Sequence, residues 1–350
     1  LLGPALIGLR GAKAPETRAL YTEAYALAQR LPEEPAQFPI YWGWWRLSSD
    51  GRDNVVRAAA LLRRARTQKD PGLLLQAHHC CWASHLHGGA FDRCRAHVAA
   101  GLAVYAHGDF TYHARLYGNH DAKVCALGGI AQVHWMQGRL RAGLQAEHDS
   151  LEWAEQLDHL GSRVHALGLA LLHRAYRRDH AAVFSRAGEL ISLTAAHGLA
   201  DQAAAGLVFR GWVVGTQHDP AAGLAMLEEG FARQREMATS EDYPVYLCLL
   251  AEVLTRLGRA AEAVERIERD RPEFDRIGLR IWMPELLRVL AETTLAADPD
   301  AIERAAALLA EARALAAAQA VPMLGLRVAS SAARLGLRRA EPARAAAAVE

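Results

Sequence analysis

Turn signals recur along this chain at a fixed interval, and that interval constrains the fold more tightly than any other feature. Gly138, Arg178, His218, Gly258 and Asp298 each close a helical pattern, and successive members stand 40 residues apart. Gly11 and Gly51 share the spacing, with Gly89 as an eighth turn displaced from it. A period of this size, built from paired amphipathic helices, specifies an α-solenoid, because a lone hairpin cannot bury its apolar face and must stack on the next. The stretch Leu207 to Phe231 displays the unit: an apolar helix with Gly211 in its middle, a polar turn at His218 to Pro220, and a second helix carrying Gly223 and Gly230 where a partner approaches closely. The expectation is an all-α chain, a right-handed superhelix of about eight hairpins forming one domain over residues 1–350.

Composition agrees with that reading. Apolar residues make up 51% of the chain but aromatic ones only 7%, which suits close helix packing and disfavours a β-rich fold. The 40 basic and 39 acidic residues nearly cancel, leaving no global field to attract nucleic acid or an acidic membrane. Lysine stands only at Lys13, Lys69 and Lys123, so the basic residues are nearly all arginine, which reads as a coding bias before a phosphate-binding role. Five cysteines without CxxC spacing imply reduced thiols and a cytoplasmic setting. No apolar run of about 18 residues occurs, so no membrane span is expected. The start inside an apparent helix suggests a piece of a longer polypeptide.

Along the chain, a short pair (Pro4 to Arg10, Pro15 to Arg30) precedes a three-proline break, and Tyr41 to Leu47 with Val55 to Arg66 flank a turn at Ser48 to Asp53. Leu73 to Leu86 and Phe91 to Tyr105 form the third pair. Its segment GAFDRCRAHVAAGL sets small Cys94 and Gly101 seven apart, the tetratricopeptide positions for interhelix contact. Roughly nine extra residues then fall near 106–121, an insertion whose Gly, Asn and Asp content predicts a loop. Regular pairs follow from Lys123: the sixth runs Gln202 to Thr216 and Ala221 to Met237, a break spans Ser240 to Pro244, and the eighth runs Pro284 to Ala296 and Ala301 to Ala318. Pro322 to Leu335 should begin a further pair whose partner, Pro342 to Glu350, is cut short.

Chemistry is sparse. No lysine precedes Ser or Thr as a P-loop demands, and GxSxG, HExxH and paired zinc cysteines are missing. No catalytic residue and no cofactor is therefore assigned. His78, Cys81 and His85 share one helix face and offer soft and imidazole ligands for a metal-dependent hydrolase or metal sensor, with His113, His120 and Asp121 as further donors. The same three positions are the expected core-facing ones of that helix, and packing is the plainer reading. The first helix of each tetratricopeptide pair lines the concave surface, and that register turns His79, Gln132, Trp135, His165, Trp212, Glu252, Glu285, Arg288 and Glu292 toward a groove for a protein or peptide partner or a small-molecule effector. Solvated faces, with both tryptophans packed between hairpins, are the plainer reading. In the motif after the insertion, Asp121 is placed to cap the helix containing Cys125, and His120 to orient a neighbour or titrate near neutral pH.

The stretches AHHCCWASHLHGGAFDRCRAHVAAGLAVY, HDAKVCALGGIAQVHWMQG, FRGWVVGTQHDPAAGLAMLEEGF and AQAVPMLGLRVASSAARL, in this order, resemble the C-terminal tetratricopeptide region of large bacterial predicted ATPases. Arg178 and His218 stand where that family has turn glycines, and Pro284 interrupts its Trp-Glu-Leu segment at Trp282 to Leu286. The resemblance implies an upstream STAND-type NTPase domain, often preceded by a class III nucleotidyl cyclase or a winged-helix DNA-binding domain. It implies a cytoplasmic signalling protein in which this segment is the sensor or assembly arm. A purely structural spacer is the remaining alternative.

Overall fold

A computed structural model describes residues 2–197, 199, 203–236 and 241–347. Among them the chain forms α-helices α1 (Leu2–Arg10), α2 (Pro15–Ala28), α3 (Phe38–Leu47), α4 (Gly51–Gln68), α5 (Pro71–His87), α6 (Phe91–Tyr105), α7 (Ala122–Met136), α8 (Leu140–Gln156), α9 (Leu160–Tyr176), α10 (His180–Ala196), α11 (Ala203–Gln217), α12 (Pro220–Glu236), α13 (Tyr243–Arg256), α14 (Ala260–Arg276), α15 (Met283–Ala297), α16 (Ile302–Ala318) and α17 (Pro322–Ala347). They pair as eight hairpins, α1–α2 through α15–α16, with α17 packed on the last; no strand occurs among the described residues. The architecture is an all-α solenoid.

Each hairpin is punctuated by residues whose chemistry matches the position. Asp50, Asp70, Asp121 and Asp179 cap α4, α5, α7 and α10 by accepting backbone N–H bonds from the first turn. Pro15, Pro71, Pro220 and Pro322 open their helices where a missing N–H costs nothing. At the chain reversals, Gly11 (φ 89°), Gly89 (φ 71°), Gly138 (φ 79°) and Gly258 (φ 72°) take the left-handed conformation, and Arg178 adopts it at φ 58° in place of glycine.

The first helices form the inner wall. Both long sides of α5, α7, α13 and α15 are buried, whereas α8 and α14 keep a wide solvent face. Successive first helices pack side by side from α5 to α17, so the second helices lie outside them. The sixth hairpin shows the closest approach: a Cβ on Gly223 would stand 2.3 Å from Gly215 Cα and 2.6 Å from the Gly211 carbonyl oxygen. Backbone meets backbone there, which only glycine permits.

The insertion is a loop, and it is packed: a 3₁₀ turn, Thr111–Arg115, lays His113 beside Gly72 while Phe110, Ala114 and Tyr117 are buried. Two expectations are corrected. Gly51 does not sit in a turn but opens α4, behind the Asp50 cap. The break before Pro342 is absent, since α17 runs on through it; burial of enough apolar surface earlier in a helix overrides one proline's cost. The expected helix ends at Gln202, Met237 and Glu350 and the break at Ser240 lie outside the described residues.

The array also closes on itself. Gly51 N–H donates to the Ile277 carbonyl at 2.6 Å, and the amides of Arg280 and Ile281 both donate to the His87 carbonyl, at 2.9 and 3.1 Å. The second and third hairpins thus grip the connection between the seventh and eighth. Arg46 on α3 meets Glu241 before α13 at 2.7 Å. These contacts border a space between the inner helices.

Candidate functional site

That space is a cavity of ≈ 330 Å³ walled by α3, α5, the end of the insertion, α7, α9, α13 and the α14–α15 connection. Four features of local sequence bring polar groups to it. Gly118 (φ 65°) and Asn119 (φ 58°) turn the chain sharply so that His120 points inward, and Gly161 on α9 has no Cβ to obstruct the Asn119 carbonyl, which would lie 2.0 Å away. Asp121 fixes that turn, accepting from the Lys123 and Val124 amides at 2.9 and 3.1 Å, from Tyr105 Oη at 2.8 Å and from Trp153 Nε1 at 3.2 Å. Gln132 on α7 and His165 on α9 complete one wall, and Trp282 another.

The opposite wall is charged. Glu241 accepts from Arg46 and lies 3.5 Å from Lys13 Nζ. Burial alone would raise its carboxyl, but Lys13 and Arg46 override burial and hold it well below the usual range. Its neighbour Asp242 goes the other way: burial, then the charge on Glu241, pushes that carboxyl up to about 7. Burial likewise brings His87 and His120 down to about 4 and His165 well below the ordinary value, so these rings are neutral at pH 7.

Several buried polar atoms facing this space have no hydrogen-bond partner among the described residues: both amide atoms of Gln132, which is 2% exposed, His165 Nε2 and Trp282 Nε1. Leaving such groups unpaired costs about 1–3 kcal/mol each. These four atoms belong to residues that line one cavity.

The nine groove residues expected from the register divide into two groups and one outlier. Gln132 and His165 line the cavity beside His120, and His79 groups with His120 and Cys125. Trp212, Glu252, Glu285, Arg288 and Glu292 join a separate network at the C-terminal end. There Arg178 binds Glu252 through two bonds of 2.6 and 2.5 Å, Arg288 and Arg327 each reach Glu285 at 2.7 Å, and Ser331 donates to Glu292 at 2.6 Å. Burial works against the Glu285 charge, yet Arg288 and Arg327 hold its carboxyl down at about 2. This network satisfies its own groups. Trp135 is the outlier, packed on Tyr176 at 5.5 Å within the core.

His78, Cys81 and His85 do not converge on one point. His78 pairs with His97 at 2.9 Å, His85 stacks on His97 at 5.5 Å, and the Cys81 thiol donates to the Ala58 carbonyl. Arg46, His87, Glu241, Asp242 and Trp282 escaped the sequence reading. No local pattern marks them, because only ring closure carries these turn and helix-end residues to a common space.

No family model matches the chain. An uncharacterized protein of Rhizobium meliloti (strain 1021) is 30% identical over 295 residues, covering 83% of this chain, and the chain spans 28% of that relative's length. Among solved structures, a Rap protein complexed with competence and sporulation factor superposes with a TM-score of 0.56 at 12% identity, covering 96% of this chain and 97% of the other. The fold is a tetratricopeptide-like solenoid. Among the described residues no helix is long and apolar enough to cross a membrane.

Proposed function

We propose that this chain is the effector-receiving region of a larger cytoplasmic signalling protein, and that it regulates an upstream nucleotide-handling or DNA-binding domain by taking a short peptide or small polar molecule into the central cavity. The observation that carries this reading is the set of unpartnered atoms on Gln132, His165 and Trp282 around one cavity. A volume near 330 Å³ is at the small end of ligand sites, enough for a few side chains or one small effector. The seam between Arg46 and Glu241 supplies the coupling: an effector touching Glu241 or Asp242 changes how firmly the N-terminal hairpins hold the seventh. Support comes also from the resemblance to the sensor arms of bacterial ATPases and cyclases. The solved Rap complex with competence and sporulation factor is consistent with a bound effector in a scaffold of this shape.

Gly168 provides the test. It lines the cavity on α9, and a Cβ there meets nothing within 4 Å, so Gly168→Leu starts its side chain from open space and reduces the cavity. Random-peptide and metabolite libraries screened against the immobilised chain should yield binders whose enrichment disappears in Gly168→Leu. In the longer polypeptide the same substitution should fix nucleotide turnover or transcriptional output at one level. Binders that bind Gly168→Leu equally well would place recognition elsewhere and end the proposal.

A further inference from the structure

His79 on α5, His120 at the end of the insertion and Cys125 on α7 come from three separate stretches, yet their ligand atoms all lie within 4.8 Å of one another. His79 Nε2 and His120 Nε2 are 3.3 Å apart. Two nitrogens each about 2.0–2.1 Å from a tetrahedral zinc ion stand at nearly that separation, so the spacing is that of adjacent ligands on one cation.

The hydrogen bonds around the rings fix which atoms are available. His120 Nδ1–H donates to the Gly118 carbonyl at 2.9 Å. His79 Nδ1–H donates to Gln76 Oε1 at 3.2 Å, while Gln76 Nε2 donates to His113 Nδ1 at 3.2 Å. Both Nε2 atoms therefore carry lone pairs, and these face each other. With both ring protons committed to Nδ1 bonds, no proton lies between the two Nε2 atoms and their lone pairs oppose each other. A cation between them removes the conflict, and Nδ1–H bonds to a carbonyl or amide oxygen are the outer contacts that orient metal-binding histidines.

We propose that His79, His120 and Cys125 bind a borderline-soft divalent cation of the zinc class, with the fourth coordination position open to the central cavity. Two imidazoles and a thiolate suit zinc over magnesium or calcium, which take oxygen ligands. Binding converts the Cys125 thiol to thiolate and releases one proton to solvent. The open position faces the unpartnered atoms: the His165 ring stacks on His120 at 3.9 Å with Nε2 unbonded, and the Gln132 amide lies on the same wall. The other acidic and histidine grouping, His148, Asp149 and Glu152, lies on the solvent side of α8 and lacks a comparable shell. This site stands independently of the effector reading, because a cavity that receives no effector would still bind the ion.

Cobalt(II) titrated into the tag-free, chelator-treated full chain tests the site. The expected result is saturation at one equivalent, with the intense visible bands of a four-coordinate centre and a near-ultraviolet thiolate-to-cobalt charge-transfer band, all displaced by zinc. Cys125→Ser should abolish the charge-transfer band and His120→Ala should weaken binding by at least about tenfold, with Gln76→Ala weakening it roughly 10–100-fold through the lost outer contact. His78→Ala and His85→Ala should bind normally. Circular dichroism confirms folding of each variant, and the conservative Cys125→Ser decides the matter if His120→Ala misfolds. A wild-type spectrum without thiolate charge transfer, or a band that persists in folded Cys125→Ser, overturns the proposal.

Discussion

Trp212 donates its indole N–H to Glu252 Oε2 at 2.8 Å, and the two residues are 40 positions apart. The same offset recurs where Trp45 donates to Ser84 at 2.9 Å and Ser331 to Glu292 at 2.6 Å, both pairs 39 apart. Equivalent places on neighbouring hairpins touch, so the sequence period is also the period of the side-chain bonds. Glu252 holds Trp212 and Arg178 together. Glu252→Gln should cost about 1.5–3 kcal/mol, the worth of bonds to a charged group, and lower the thermal midpoint. A midpoint equal to wild type would show that the network adds nothing to the stack.

Two glycines with opposite surroundings give a paired prediction. Gly223→Ala drives a methyl into the Gly215 and Gly211 backbone and should destabilise by at least ~1–3 kcal/mol in chemical denaturation. Gly168→Ala, in a helix interior with open space around it, should stabilise by roughly 0.5–1 kcal/mol. Equal effects of the two would refute the close backbone approach.

Arg46→Ala removes the cation that meets Glu241 across the seam. Because Arg46 is 29% exposed, the loss should fall below the ~3–5 kcal/mol of a fully buried pair. Small-angle scattering should record a larger radius of gyration for this variant, whereas an unchanged profile would show that the backbone bonds from Gly51 and His87 close the ring unaided.

Acid and alkali should act through different groups. His87, His113 and His120 have folded values near 4 against an ordinary 6.5, so the unfolded chain binds more protons between those values and stability falls as pH drops from about 6.5 through 4. Asp242 has the opposite sign. Its value is raised from 3.8 to about 7, so its contribution is present at low pH and lost as pH rises through 7. Asp242→Asn should therefore gain on wild type in thermal midpoint between pH 5 and pH 8. A constant difference over that range would contradict the raised value.

The hairpins were legible in the sequence because each is specified locally, by a cap such as Asp70, a helix-opening proline such as Pro71 and a left-handed turn residue such as Gly89. The groove register placed His79, Gln132 and His165 on the inner wall from the same local periodicity. What local pattern cannot express is closure. Arg46 follows three tryptophans and reads as an ordinary solvent arginine until Glu241, 195 positions away, is brought beside it. The insertion was visible as a break in spacing, but its ordering depends on Tyr117 and His113 packing against α3 and α5, and the convergence of His120 with His79 depends on the reversal at Gly118 and Asn119.

The bonds from Gly51 to Ile277 and from His87 to Arg280 and Ile281 also bear on how this chain varies in length. An open stack tolerates gain or loss of a unit at either end or in the middle, since each member consults only its neighbours. Here, a hairpin duplicated or deleted between α5 and α14 would carry Ile277 out of reach of Gly51. The number of units between the second hairpin and the eighth is fixed by that seam, and kindred chains that keep it should change in size by lengthening loops or adding helices beyond α17, never by altering the count inside.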